Sequence, residues 1–87
     1  MSLFLVHMKV ADFTRWRPVF ERMEATRNTG GVTNPRIYRN AADSNDLLLL
    51  FDAADAARTR QVFESVQVRD GMKEAGLIGT PEGHFIP

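Results

Sequence analysis

LLLLF, residues 47–51, places five apolar side chains in a row in a chain of only 87 residues. In an extended strand successive side chains point to opposite faces, so Leu47, Leu49 and Phe51 project to one side and Leu48 and Leu50 to the other. Both faces are oily, and each needs a cover. Helices of a small protein can cover one set; whatever covers the other decides the architecture.

The flanking segments supply the rest of a fold. RIYRN, residues 36–40, reads as a strand, and AADSND, residues 41–46, as a turn whose Asp and Asn side chains bond the local backbone. The two strands therefore form a hairpin. Near the start, LFLVHMKV, residues 3–10, alternates: Phe4, Val6, Met8 and Val10 share one face, and Leu5, His7 and Lys9 the other. Asp12 offers a helix cap, after which Phe13, Trp16, Phe20 and Met23 recur at helical steps and must be buried. Pro18 belongs in a first turn, which makes DFTRW, residues 12–16, a short separate turn ahead of the main helix. NTGG, residues 28–31, ends that helix.

Beyond the hairpin, AADAARTRQVFES, residues 53–65, turns Ala57, Val62, Phe63 and Val66 inward, and VRDGMKEAG, residues 68–76, adds Val68, Met72 and Ala75. Ser65 caps the second piece and Gly76 terminates it, giving two short helices in tandem. EGHFIP, residues 82–87, follows the GTPEG loop as a brief fourth strand. The order β-α-β-β-α-β is the ferredoxin-like arrangement of the α+β class, a four-stranded antiparallel sheet with its helices on one face. Residues 1–87 are expected to form one domain.

That arrangement leaves Leu48 and Leu50 uncovered. A contiguous apolar patch of several hundred Å² normally marks an interface, and a second copy of the chain is the simplest lid. Hiding about 600 Å² of apolar area per subunit at ~25 cal/mol/Å² would be worth on the order of 15 kcal/mol before association and ordering costs. A homodimer packed sheet against sheet is the expectation.

Composition removes several classes of function. Without cysteine there is no disulfide, thiolate nucleophile or iron–sulfur cluster. Eleven basic and eleven acidic residues cancel and are interspersed, which argues against nucleic acid or an anionic membrane as partner. No run approaches the ~18 apolar residues of a membrane span, and MSLFLVHMKV lacks the basic region and cleavage site of a leader. A cytoplasmic setting is the default. NTGG and GTPEG lack phosphate-cradle spacing, and the two histidines have no helical His-x3-His spacing or sequence-close carboxylate to hold a metal.

The side chains able to do chemistry are few. His7, on the mixed face of the first strand, can act as a base near neutral pH. His84 falls on the same side of the last strand if Phe85 faces the helices. Tyr38 and Arg36 share one face of the second strand, with Arg39 on the other; a phenol and a guanidinium supply the donors an enolate or phenolate oxygen requires. The blander roles stay open: each imidazole satisfying a carbonyl or carboxylate inside a polar interface, and the arginines guarding an edge strand. Trp16 is core by its phase with Phe13 and Phe20, and Met8, Met23 and Met72 are gap fillers.

Together VADFTRWRPVFE (10–21), RIYRNAADSNDLLLLFD (36–52), ARTRQVFESVQVRDGMKEAG (57–76) and the closing HFIP resemble the small dimeric α+β barrel proteins of the antibiotic-biosynthesis-monooxygenase-like group. The resemblance spans nearly the whole chain and implies that fold and a dimer. Relatives include cofactor-independent oxygenases of aromatic polyketides, haem-degrading enzymes and lactone isomerases, so the fold does not choose a reaction. Several carry a Glu-Trp pair where this chain has Asp52-Ala53. Two readings follow: a cofactor-free enzyme in which His7 takes a proton from an apolar or aromatic substrate while Tyr38 and Arg36 hold the oxyanion and His84 lines the site, or a ligand-binding or accessory dimer without catalysis. Haem handling ranks third, because both histidines lie on strands whereas an iron ligand in these relatives is expected from a helix.

Overall fold

Alternation in the opening residues produces β1 (Ser2–Val10), the first of eight elements in a computed structural model that describes residues 2–87. The others are α1 (Phe13–Arg22), α2 (Glu24–Thr29), β2 (Val32–Arg39), β3 (Asp46–Ala53), α3 (Ala56–Glu64), α4 (Val66–Glu74) and β4 (Leu77–Ile86). The strands form one antiparallel sheet in the order β2-β3-β1-β4, the ferredoxin-like topology.

The helices lie over one face of this sheet, and the parity of the strands decides what they cover. Phe4, Val6, Met8 and Val10 of β1 and Leu47, Leu49 and Phe51 of β3 are all buried beneath them, together with Trp16 and Val19 of α1. Each large side chain so buried contributes roughly 1.5–3 kcal/mol. Trp16 stacks on Phe20 at 4.7 Å between ring centroids, inside this layer.

Three local readings change. Pro18 sits inside α1, not in a first turn. It is exposed, and so is Thr14, whose carbonyl a residue 18 N–H would have engaged, so the lost bond falls on the solvent side of the helix. The break falls instead at Met23, which ends α1 and starts α2, so the first helical segment is in two pieces like the second. Ala57 on α3 and Val66 at the start of α4 are exposed rather than turned inward, and Thr59 is the fully buried residue of α3, its hydroxyl donating to the Asp55 carbonyl at 2.9 Å.

The fourth strand is also much longer than a brief tail. Leu77 and Ile78 already pair with Val10 and Lys9, and pairing resumes with Glu82 opposite His7, so the GTPEG segment is an irregularity within β4. Gly79 takes a φ of 71°, and Pro81, which has no N–H to donate, fits where the ladder is interrupted. Gly83 serves the packing: a Cβ there would lie 2.7 Å from Cζ of Phe4, so the absence of a side chain lets that ring rest on the strand.

Candidate functional site

Strand register sets which side chains share the face turned away from the helices. One row across the sheet runs Tyr38, Leu48, His7, Glu82, and the next runs Arg36, Leu50, Leu5, His84. All four residues singled out from the sequence thus stand on this open face, among Leu3, Leu5, Leu48, Leu50, Ile78 and Ile86. Tyr38 is 54% exposed and Leu48 40%.

The structure brings two of the four together. His7 and Tyr38 line a shallow cleft of about 300 Å³ with Arg39, Asn40, Asp46, Leu47 and Leu48. Arg36 and His84 do not line it. Arg36 is half-buried one row away, its Nη2 donating to Oδ1 of Asp52 at 2.8 Å, while Asn34 donates to the other carboxylate oxygen at 3.2 Å. His84 is exposed on β4 opposite Leu5, diagonal to His7, whose direct partner on that strand is Glu82. Arg39 pairs opposite Leu47, its guanidinium stacked 3.8 Å from the Phe13 ring centroid, consistent with a position facing the helices.

Sequence reasoning missed the partner of His7. Nε2 of His7 lies 2.7 Å from Oδ1 of Asp46, and Asn40 Nδ2 donates to the other oxygen at 3.1 Å. The hydrogen bond from Asn40, followed by that from His7, holds the Asp46 carboxyl below the usual aspartate range. An ionised carboxylate only accepts, so the proton of a neutral His7 is on Nε2 and its Nδ1 is the free basic nitrogen. A signal for this pairing was present: Asp46 has the same parity as Leu48 and Leu50, and hence shares a face with His7. What the letters do not give is the antiparallel register that sets Asp46 opposite Lys9, one step diagonal from His7.

Chemically, the cleft offers a base oriented by a carboxylate and a phenolic donor beside an apolar floor. Among the described residues no cluster of three or more His, Asp or Glu side chains is placed to hold a metal, and no helix is long and apolar enough to cross a membrane.

A larger cleft of about 570 Å³ opens on the other side of the sheet, between β1, β4, α3 and α4. Phe4, Val6, Phe63, Met72, Leu77 and Gly83 contribute its apolar wall, with the charged side chains Glu64, Arg69 and Lys73 also present. None of the four residues expected from the sequence reaches it.

No protein-family model matches the chain, and no curated protein resembles it in sequence. Solved structures do resemble it over nearly its full length. An antibiotic biosynthesis monooxygenase superposes with a TM-score of 0.72 at 6% identity, covering 100% of this chain and 97% of the other. SnoaB, a cofactor-independent oxygenase from Streptomyces nogalater, gives 0.74 at 16% identity, covering 99% and 90%. Rv0793 from Mycobacterium tuberculosis gives 0.67 at 12% identity, covering 100% and 94%. The chain has the fold of the antibiotic biosynthesis monooxygenase-like proteins, as the four quoted segments imply.

Proposed function

We propose that this protein is a homodimer paired through its open sheet faces, and that the His7 cleft handles a small apolar or aromatic molecule by proton abstraction without a cofactor. The observation that carries the reading is the Asp46–His7 pair set among leucines and isoleucines on a face the helices leave bare. Nδ1 of His7 takes an acidic proton from the substrate; the charge moves to a substrate oxygen, where the Tyr38 hydroxyl donates to it. Arg36 and His84, one row along the same face, meet the remainder of the molecule. The resulting carbanion reacts with dioxygen or rearranges, and the likeness in fold to a cofactor-independent oxygenase supports the former. The cytoplasmic, single-domain setting expected from the sequence belongs to the same reading.

One observation favours a second reading, a ligand-binding or accessory dimer without catalysis. His7 and Arg36 each already face a carboxylate, as polar groups inside an assembly interface do. Oxygen uptake under air with a panel of enolisable polycyclic phenols separates the two. Turnover that falls on the order of 10²–10⁴-fold in His7→Ala, with a smaller loss in Tyr38→Phe, supports the enzyme. Turnover unchanged in both variants refutes the assignment of roles, and saturable binding without oxygen uptake supports the second reading.

A further inference from the structure

Arg27 is a charged residue in the core, and neither reading above uses it. It is 5% exposed, beneath α2 and against the aromatic layer, with its guanidinium carbon 3.8 Å from the centroid of the Phe20 ring. Among the described residues it makes no ion pair. Its one side-chain hydrogen bond runs from Nη1 to the Phe20 carbonyl at 2.7 Å, at the end of α1. A guanidinium has five N–H donors in a planar fork, so most of them are unused. Among the described residues no fully buried side-chain nitrogen or oxygen lacks a partner, which means Nε and Nη2 touch space that water can enter.

Arg27 lines such a space. A cavity of about 30 Å³ lies between the helices and the sheet, bounded also by Met8, Trp16, Phe20, Phe63 and Met72. That is room for one or two waters, which an arriving carboxylate would displace. Phe63 and Met72 border both this cavity and the outer cleft of about 570 Å³. Met72 is a flexible, unbranched side chain, and its rotation is the simplest way to join the two spaces.

We infer that the cavity and the outer cleft form one binding site for a small apolar anion, an aryl- or alkyl-carboxylate whose oxygens pair with the Arg27 fork while its body fills the cleft. A buried cation that makes no ion pair, its charge offset only at a distance by Glu24 one turn back on α2, selects for such a ligand: charge draws the head inward and the phenylalanines accept the body. Desolvation by the surrounding core, which lowers the affinity of the guanidinium for its own proton, makes the unpaired cation costly and an arriving carboxylate correspondingly favourable. This site is on the helix side of the sheet and depends on neither the dimer nor His7.

The test uses 3-phenylpropionate and its neutral counterpart 3-phenylpropanol on the full chain. Trp16 is the sole tryptophan and lines the inner cavity, so its emission reports occupancy. The acid is expected to shift that emission saturably and to move the Arg27 Nε–Hε resonance in the wild-type protein, with the alcohol binding more weakly. In Arg27→Met the preference for the acid should fall on the order of 10- to 100-fold, the loss of a charged hydrogen-bonded pair. Arg27→Lys keeps the charge without the fork and should fall between. If Arg27→Met does not fold, the wild-type Nε–Hε titration decides alone. An unmoved Arg27 resonance at saturating acid, or equal affinity for acid and alcohol, overturns the inference.

Discussion

Replacing Leu48 by glutamate should dissolve the dimer while leaving the subunit folded. Leu48 is 40% exposed in the single chain, so a carboxylate there reaches water and the subunit's own stability should change by no more than about 0.5 kcal/mol. In a two-fold dimer each substitution acts twice. Roughly 40% of the 1.5–3 kcal/mol for burying a leucine, lost at both copies, is about 1.2–2.4 kcal/mol. Two enclosed carboxylates add a desolvation cost of several kcal/mol, so the total exceeds about 4 kcal/mol, roughly a thousandfold in Kd. Leu48→Ala removes only the hydrophobic part and should weaken the dimer by about tenfold. Sedimentation velocity over a concentration series, with circular dichroism to verify folding, measures the three proteins side by side. A Leu48→Glu protein that associates as tightly as the wild type would refute the reasoning, because the open face would then not be the interface.

Two other perturbations probe how the scaffold holds its sites. A Cβ at Gly30 would lie 1.9 Å from Cγ2 of Val62, so Gly30→Ala should destabilise by about 1–3 kcal/mol through overpacking between α2 and α3. Adding Val62→Ala makes room and should recover part of that loss; denaturant unfolding that finds the two changes additive within about 0.5 kcal/mol contradicts the contact. Asp12, bonded first by the Thr14 hydroxyl, and Asp46, bonded first by Asn40, are both held below the ordinary aspartate value of 3.8. A depressed folded-state pKa gives stability that is complete above the unfolded value and disappears as pH falls through the folded one. Stability should therefore decline with acid below about pH 4, less steeply in Asp46→Asn; identical acid profiles by circular dichroism would contradict the role given to that carboxylate.

The strands and their faces were legible because a period of two needs no long-range information: parity alone sorted Phe4 from Leu5 and Leu49 from Leu48. The tandem helices of the second half were legible through Ser65, whose side chain accepts from the Val68 N–H at 3.4 Å. Proline and glycine misled where tertiary pairing overrides local preference. Pro18 is tolerated in a helix because its side faces solvent, and GTPEG is carried inside a strand because β1 holds it from both ends. For the candidate site, parity paired Tyr38 with Arg36 and set His7 on the face opposite Phe4 and Val6, yet which of these residues stand side by side depends on register. The Asp46–His7 pairing and the burial of Arg27 were missed for different reasons. The first required the diagonal across β1 and β3, and the second is a charged residue on the short helix α2, whose burial against the Phe20 ring no residue pattern announced.

The most direct measurement mixes carbon-13-labelled with unlabelled protein and records nuclear Overhauser contacts that cross between chains. Contacts linking the methyls of Leu5, Leu48, Leu50 and Ile86 to the same surface of the other copy are the predicted result. A dimer whose intermolecular contacts arise from the helices, with those methyls silent, or a chain that yields none at high concentration, would contradict it.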